Sequence, residues 1–405
     1  MEMKWILTAA ILLMPSYVSA VSAQQLDKKW QSNKNCEACH QEISRKWETS
    51  RHSNSHFSKN DLFKKSLEFI VRKNPTLILD EVKVECAKCH NPRLAKAEVS
   101  DEEKVALLFD DKDAKKDFHQ MLNNKTMKNG INCIVCHNVD KIHLDKRVGS
   151  QGMNSITFGP QGTMFGPFDD AVSPYHKTAQ RPHFVGDKPT LCFACHYSAK
   201  NEHGVEVYAT GEEYDTFKKR EEGCKDCHMS KKKKGYASNF AYTGKKPKER
   251  MVRKHRFASV DNSNIMNDYL DMKGTVDDNY FIIKLTNHAP HKIPTGYGLR
   301  EVILRVVFLD KNDKPIKTNE YILGSKWVDE KGSPTIPHLA VKRVKDTRMN
   351  GKSTNAYKFP IPKGAVYAKY SLSYRLISDG LAKEIGVTDP FFLREYTFAQ
   401  MRIHL

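Results

Sequence analysis

Two kinds of hydrophobic patterning divide the chain near residue 275. Beyond it, the runs YFIIKLTN (280–287), EVILRVVFLD (301–310) and AVYAKYSLSYRL (365–376) are rich in β-branched and aromatic residues. Turn signals such as DKNDKP separate them, and this pattern predicts an antiparallel β-sandwich over 275–405. Before residue 275, short helical patterns alternate with Gly/Pro-rich stretches. Ile43 and Trp47 follow His40 at i+3 and i+7, one face of a helix. Residues 101–122 predict a helix with Ser100 as N-cap and Glu103 at the capping-box position. Residues 149–189, rich in Gly and Pro, read as an extended loop. The chain is therefore expected to hold a helix- and loop-rich region with little sheet over 24–274, then a β domain over 275–405.

The first residues carry a different pattern. Lys4 precedes a short apolar stretch, and Val21-Ser22-Ala23 offers a small-residue cleavage site, with Val18-Ser19-Ala20 as the alternative. The apolar run is too short to span a bilayer, so residues 1–23 read as a secretory signal peptide. Export to a bacterial periplasm is the expectation, with no membrane span after cleavage.

The cysteines change the picture most. Cys36, Cys39 and His40 form C-x-x-C-H, the attachment motif of c-type haem. It recurs at Cys86, Cys89, His90; at Cys133, Cys136, His137; at Cys192, Cys195, His196; and at Cys224, Cys227, His228. These five motifs use all 10 cysteines. Composition alone would yield on the order of 0.01 such motifs in a chain of this make-up. Zinc ligands rarely fix a histidine directly after the second cysteine five times over, and no cysteine is left for a disulfide framework. The spacing suits the chemistry: two thiols add to the vinyl groups of one porphyrin, and the next residue reaches the iron. Five covalently attached haem c groups are expected, all in the N-terminal region. No cysteine follows Cys227, so the β domain is expected to be haem-free and separable, with residues 24–270 keeping all five haems.

Charge bears on partners. The formal net charge is +18. Five ferric haems with ionised propionates would lower it to about +13, which leaves the surface basic. An exported haem protein rarely meets nucleic acid, so acidic redox partner proteins are the expected counterpart. The run 231–234, four lysines after the fifth motif, reads either as a docking patch or as a solvated loop.

Twelve histidines remain after the five in the motifs: His52, His56, His119, His143, His176, His183, His203, His255, His288, His291, His338 and His404. The first segment, C-x-x-C-H followed by Trp47, Ser50 and His52, resembles that of the exported multihaem cytochromes c related to the tetrahaem cytochrome of nitrifying bacteria. That superfamily also holds hydroxylamine oxidoreductases. SPYHKT around His176, NEHGVEV around His203, KHRF around His255, and HKIPTG with Arg300 resemble multihaem members with a C-terminal β domain. The resemblance implies bis-histidine ligation, with His52 as a distal ligand to a haem other than that of its own helix, and with His176 and His255 as further distal ligands. For His119, His143, His183 and His203, a structural or propionate-bonding role stands equally open. His288 and His291 are expected to serve packing or an interface, with His291 alternatively facing the last haem.

Several haems in one domain imply an electron-transfer cytochrome. The alternative is an oxidoreductase acting on a small nitrogen or sulfur compound at one open haem. Pentahaem nitrite reductases carry one C-x-x-C-K motif, whereas all five motifs here end in histidine.

Overall fold

The computed structural model describes residues 32–94, 98–144, 150–186, 188–217, 223–239 and 246–405. The predicted signal peptide lies outside the described residues.

The N-terminal region is helix-rich. Its five motifs lie on or just after short helices: Asn33–Glu37, Leu79–His90, Cys133–His137, Thr190–His196 and Cys224–His228. Most are too short to persist alone in water. Caps support them: Ser32 accepts from the Lys34 amide, Asn132 from the Val135 amide, and the Asp226 carboxylate from the Gly223 amide. The helix expected over 101–122 is two helices, Asp101–Leu108 and Lys112–Asn123. Ser100 and Glu103 form the expected capping box. The break falls where Asp110 takes a left-handed conformation (φ 65°) and Asp111 caps the second helix. Within the stretch expected as an extended loop, short strands Thr163–Gly166 and Lys177–Gln180 pair in parallel.

From Leu270 onward the chain is antiparallel sheet. A four-stranded sheet has Glu301–Leu309 and Tyr367–Arg375 at its centre, flanked by Pro315–Leu323 and Tyr396–His404. A three-stranded sheet of Ser353–Pro360, Tyr280–Asn287 and Leu270–Asp277 faces it. The faces meet where Phe281 packs edge-on to Phe308 and Tyr370. Gly274 lies beneath these rings: a Cβ there would come within 2.7 Å of Phe281 and 2.8 Å of Tyr370.

The two regions, expected to be separable, share part of their packing. Leu67, Phe69 and Ile70 of helix Asp61–Lys73 belong to the same buried cluster as Phe281, Leu304 and Leu372. Polar links cross as well: Arg72 donates to the Glu384 carbonyl, and Asp61 accepts from the Thr388 and Asp389 amides. No helix among the described residues is long and apolar enough to cross a membrane.

Candidate functional site

All ten cysteines and all five motif histidines line one continuous cavity of ≈ 2240 Å³. A pocket for a single small molecule holds roughly 300–1,000 Å³. The volume therefore suits several large groups.

Across this cavity, histidines face one another in pairs. Ring centroids of His40 and His176 are 6.4 Å apart, those of His52 and His196 6.0 Å, and those of His137 and His255 6.1 Å. With metal–nitrogen bonds of about 2.0 Å and about 1.2 Å from nitrogen to ring centre, two imidazoles on one metal have centroids about 6.4 Å apart. Among the described residues, no cluster of three or more histidine, cysteine or carboxylate side chains converges as a metal cage. Two axial imidazoles and paired thiols are the donor set for an iron already chelated by porphyrin.

The backbone orients these rings. The Nδ1 atoms of His40, His90, His137 and His228 donate to the carbonyls of Ala237 (2.5 Å), Ser55 (3.1 Å), Phe165 (2.7 Å) and Ala258 (2.9 Å). His176 and His255 use Nδ1 in the same way, toward the Lys177 and Arg253 carbonyls. Fixing the proton on Nδ1 leaves Nε2 as the basic atom that a metal requires. Burial pushes His52 down to about 3, with His196, His228 and His90 adding to the effect. His196 and His255 are pushed down to about 4, again mainly by burial. Neutral imidazole is the ligating form.

His52 illustrates how sequence builds the site. Trp47 Nε1 donates to the Ile131 carbonyl (2.8 Å), and the Ile131 amide donates to the His52 carbonyl (3.0 Å). Gly130 beside them is left-handed (φ +62°), and a Cβ there would stand 2.5 Å from the His52 carbonyl oxygen. The Trp47–Ser50–His52 segment is thus pinned to the strand of chain leading into the third motif. It sends His52 to the fourth motif's histidine rather than its own.

Other histidines separate sharply. His119, His143, His203 and His288 are exposed and do not line the cavity. His143 contacts Thr157, and His288 pairs with Asp271. His56 is buried but its Nε2 donates to the Leu122 carbonyl. His183 lines the cavity with a buried, unpartnered Nε2.

Two histidines of the sheet region line the cavity as well. His291 directs Nδ1 to the Lys292 carbonyl (2.9 Å), the arrangement seen at His176, and it acts electrostatically on His228. His338 keeps a buried, unpartnered Nδ1; burial, then His90, pushes it down to about 4. His90 itself is stacked on Phe63 at 4.0 Å. For His291 the signal was the HKIPTG segment. His338, in IPHLA, carried none.

Sulfur contacts give the motif order in space. Cys36 meets Cys133, Cys89 meets Cys195, and Cys192 meets Cys224. Cys136 lies within electrostatic reach of Cys192 and Cys195. The first motif therefore adjoins the third, the third adjoins the fourth, and the fourth adjoins both the second and the fifth.

Comparison with known proteins agrees with this geometry. Residues 35–138 match the family model for cytochrome c554 and c-prime. The crystal structure of a penta-heme cytochrome c552 from Thermochromatium tepidum superposes with a TM-score of 0.69, covering 92% of this chain and 98% of that one, at 18% identity. A glycosyl hydrolase family 2 member from Bacteroides cellulosilyticus aligns over 34% of the chain at 11% identity, but its TM-score of 0.15 bears on nothing here. No protein of curated function matches the sequence. In fold, a helix-rich region followed by antiparallel sheets, the chain is similar to a multihaem c-type cytochrome.

Proposed function

We propose that the protein is a periplasmic electron-transfer cytochrome with five covalently attached haem c groups. The observation that carries the reading is the set of three histidine pairs at 6.0–6.4 Å inside a cavity lined by all ten cysteines. Haem c, when bound, supplies one-electron redox chemistry. The chain's residues attach, orient and enclose it. Each cysteine pair anchors one group, and its motif histidine is the proximal ligand. His176 serves as distal ligand opposite His40, His52 opposite His196, and His255 opposite His137. His291 is assigned to the group of the fifth motif and His338 to that of the second, so that the sheet region supplies two distal ligands. The Arg300 guanidinium, which acts electrostatically on His196, His228 and His291, favours the reduced, less positive state there.

The test is a spin-state count. Holoprotein mass should exceed that of the mature apoprotein by five haems, and electron paramagnetic resonance should show low-spin iron. Each of His52→Ala, His176→Ala and His255→Ala should turn one haem high-spin with five still attached. His291→Ala and His338→Ala should do the same for the fifth and second haems. A wild-type protein with one stoichiometric carbon monoxide site and steady turnover of nitrite or hydroxylamine would replace the carrier by an oxidoreductase.

A further inference from the structure

Val172 and Tyr175, beside His176, both line the cavity and face solvent, and the surface there has an unusual make-up. Three segments build it: 170–177, 231–236 and 246–254. Strand Lys233–Gly235 pairs antiparallel with Arg250–Val252. This ribbon stays tied to the fifth motif through Arg253 and Asp226, and the chain leaving it reaches the first: the Ala237 carbonyl accepts from His40, and the Asn239 amide donates to the Cys39 carbonyl. Asp170 ties the third segment to the first through Lys248 and Arg250.

Four large apolar side chains are exposed on these segments: Val172 at 93%, Tyr175 at 47%, Tyr236 at 45% and Met251 at 49%. Tyr175 precedes His176, and Tyr236 precedes Ala237, so the apolar surface flanks both imidazoles of the pair. Around it stand ten lysines and arginines against two acids, Asp170 and Glu249. These 23 residues carry +8 of the chain's formal +18.

We propose that this face is the port through which the protein exchanges electrons with an acidic one-electron redox protein. The inference rests on the carrier reading above. An apolar centre with a charged rim is the make-up of a transient interface, in which the rim steers encounter and the centre excludes water. Weak electron-transfer complexes bury little area, so a patch of this size suffices. The transfer moves one electron: the partner is oxidised by one, one iron of the cytochrome goes from +3 to +2, and no proton crosses. Current would pass from the first motif through the third to the fourth, following the sulfur contacts.

Reduced flavodoxin, an acidic one-electron donor, is the probe, with photoreduced lumiflavin as an uncharged control and horse cytochrome c as a basic one. In the holoprotein, Lys233→Glu/Lys234→Glu/Lys248→Glu should slow reduction by flavodoxin at least about tenfold and flatten its dependence on ionic strength. Calorimetric affinity for flavodoxin should fall in parallel, while the lumiflavin rate stays constant. Val172→Glu, on a side chain that is 93% exposed, should give a smaller loss in the same direction. Lys314→Glu/Lys317→Glu, on the sheet region, should change neither rate. An unchanged flavodoxin rate in the triple variant, an equal loss with lumiflavin, or tighter binding of cytochrome c than of flavodoxin overturns the port. So does saturable binding to phosphatidylglycerol vesicles without binding to flavodoxin, which would make the face a membrane contact. A wild-type protein that neither flavodoxin nor lumiflavin reduces overturns the carrier reading beneath it.

Discussion

The two regions solve the problem of an interior in opposite ways. In the sheet region, Phe281, Ile283, Leu285, Leu304, Phe308 and Leu372 are fully buried and belong to one cluster. In the haem-type region, apart from helix Asp61–Lys73, the buried apolar residues fall into small separate groups, such as that around Leu122 and Met127 and that of Phe193, Tyr197 and Tyr214. Its middle is the ≈ 2240 Å³ cavity. One region is closed by its own side chains; the other is shaped to be closed by groups it attaches. On the proposed function, covalent attachment would make this possible, since thioether bonds would hold the cofactor where the chain has few apolar residues to do so.

The largest test of that contrast is to withhold the cofactor. Protein made without haem attachment should lose ordered structure around the five motifs, while the sheet region, with helix Asp61–Lys73 packed on it, persists. Limited trypsinolysis should then cut around the motifs and leave a resistant fragment carrying 270–405. Equal resistance of both regions in the apoprotein would break the comparison.

Next in size is the sheet core. Phe281→Ala removes a ring at zero exposure between Phe308 and Tyr370. It should cost about 3–5 kcal/mol, since Phe→Ala in a packed core loses both transfer energy and contacts around a cavity. Thermal unfolding of the holoprotein measures it. Phe193→Ala, in the small group beside the fourth motif, should cost less, because attached haem and motif helix hold that neighbourhood together.

The seam between the regions gives a smaller effect. Arg348 is 6% exposed in its side chain and pairs with Glu206, Glu213 and Asp346, so it joins the sheet region to strand Glu206–Tyr208 and helix Thr210–Asp215. Arg348→Ala should cost about 2–3 kcal/mol, below the 3–5 kcal/mol of a fully buried pair, because Glu206 and Asp346 keep contact with water. Denaturant unfolding of the holoprotein would show it, and a variant within 0.5 kcal/mol of wild type, the usual range of surface substitutions, would remove the seam from the account.

How much of this was legible in the sequence follows the same division. Repeated local chemistry was: the five motifs, the Ser100–Glu103 capping box, and strands close to those expected at 280–287, 301–310 and 365–376. The resemblance singled out His52, His176 and His255, and their ring centroids lie 6.0–6.4 Å from those of motif histidines. What no local pattern carries is which distant surfaces meet. Eight spare histidines between His52 and His255 made the N-terminal region look self-sufficient. His119, His143 and His203 turn out to face solvent, and His56 spends its Nε2 on a backbone carbonyl. His291 comes to the cavity from a loop between strands and His338 from the 3-10 helix Pro337–Leu339, each far along the chain from the motif histidine it acts on. The lysine run at 231–234 was equally opaque: it neighbours the fifth motif, where Lys232 acts on Asp226, yet the chain just after it packs on the first.

The smallest effect concerns Glu213 at the seam, and its sign is the informative part. Burial raises the Glu213 carboxyl above its usual range, despite the Thr295 hydroxyl, Arg348 and the Lys292 amide. Burial acts on Asp346 too, but Arg348 and Lys292 outweigh it and hold that carboxyl below its usual range. The linkage signs are opposite. Asp346 contributes stability that is present above its unfolded value and lost as pH falls through the folded one. Glu213 binds its proton more tightly folded than unfolded, so ionising it works against folding, and that penalty disappears as pH falls through its raised folded value. Glu213→Gln keeps the shape and removes the ionisation. At pH 7 the variant should therefore melt at or slightly above the wild type, although it deletes a carboxylate from an ion-pair cluster. The difference should shrink toward pH 4, where wild-type Glu213 takes up its proton. A variant that melts well below wild type at pH 7 and recovers none of the loss on acidification would show that the Glu213–Arg348 contact stabilises the seam as a charge pair, and that the two regions are held together more by ions than by the shared apolar core.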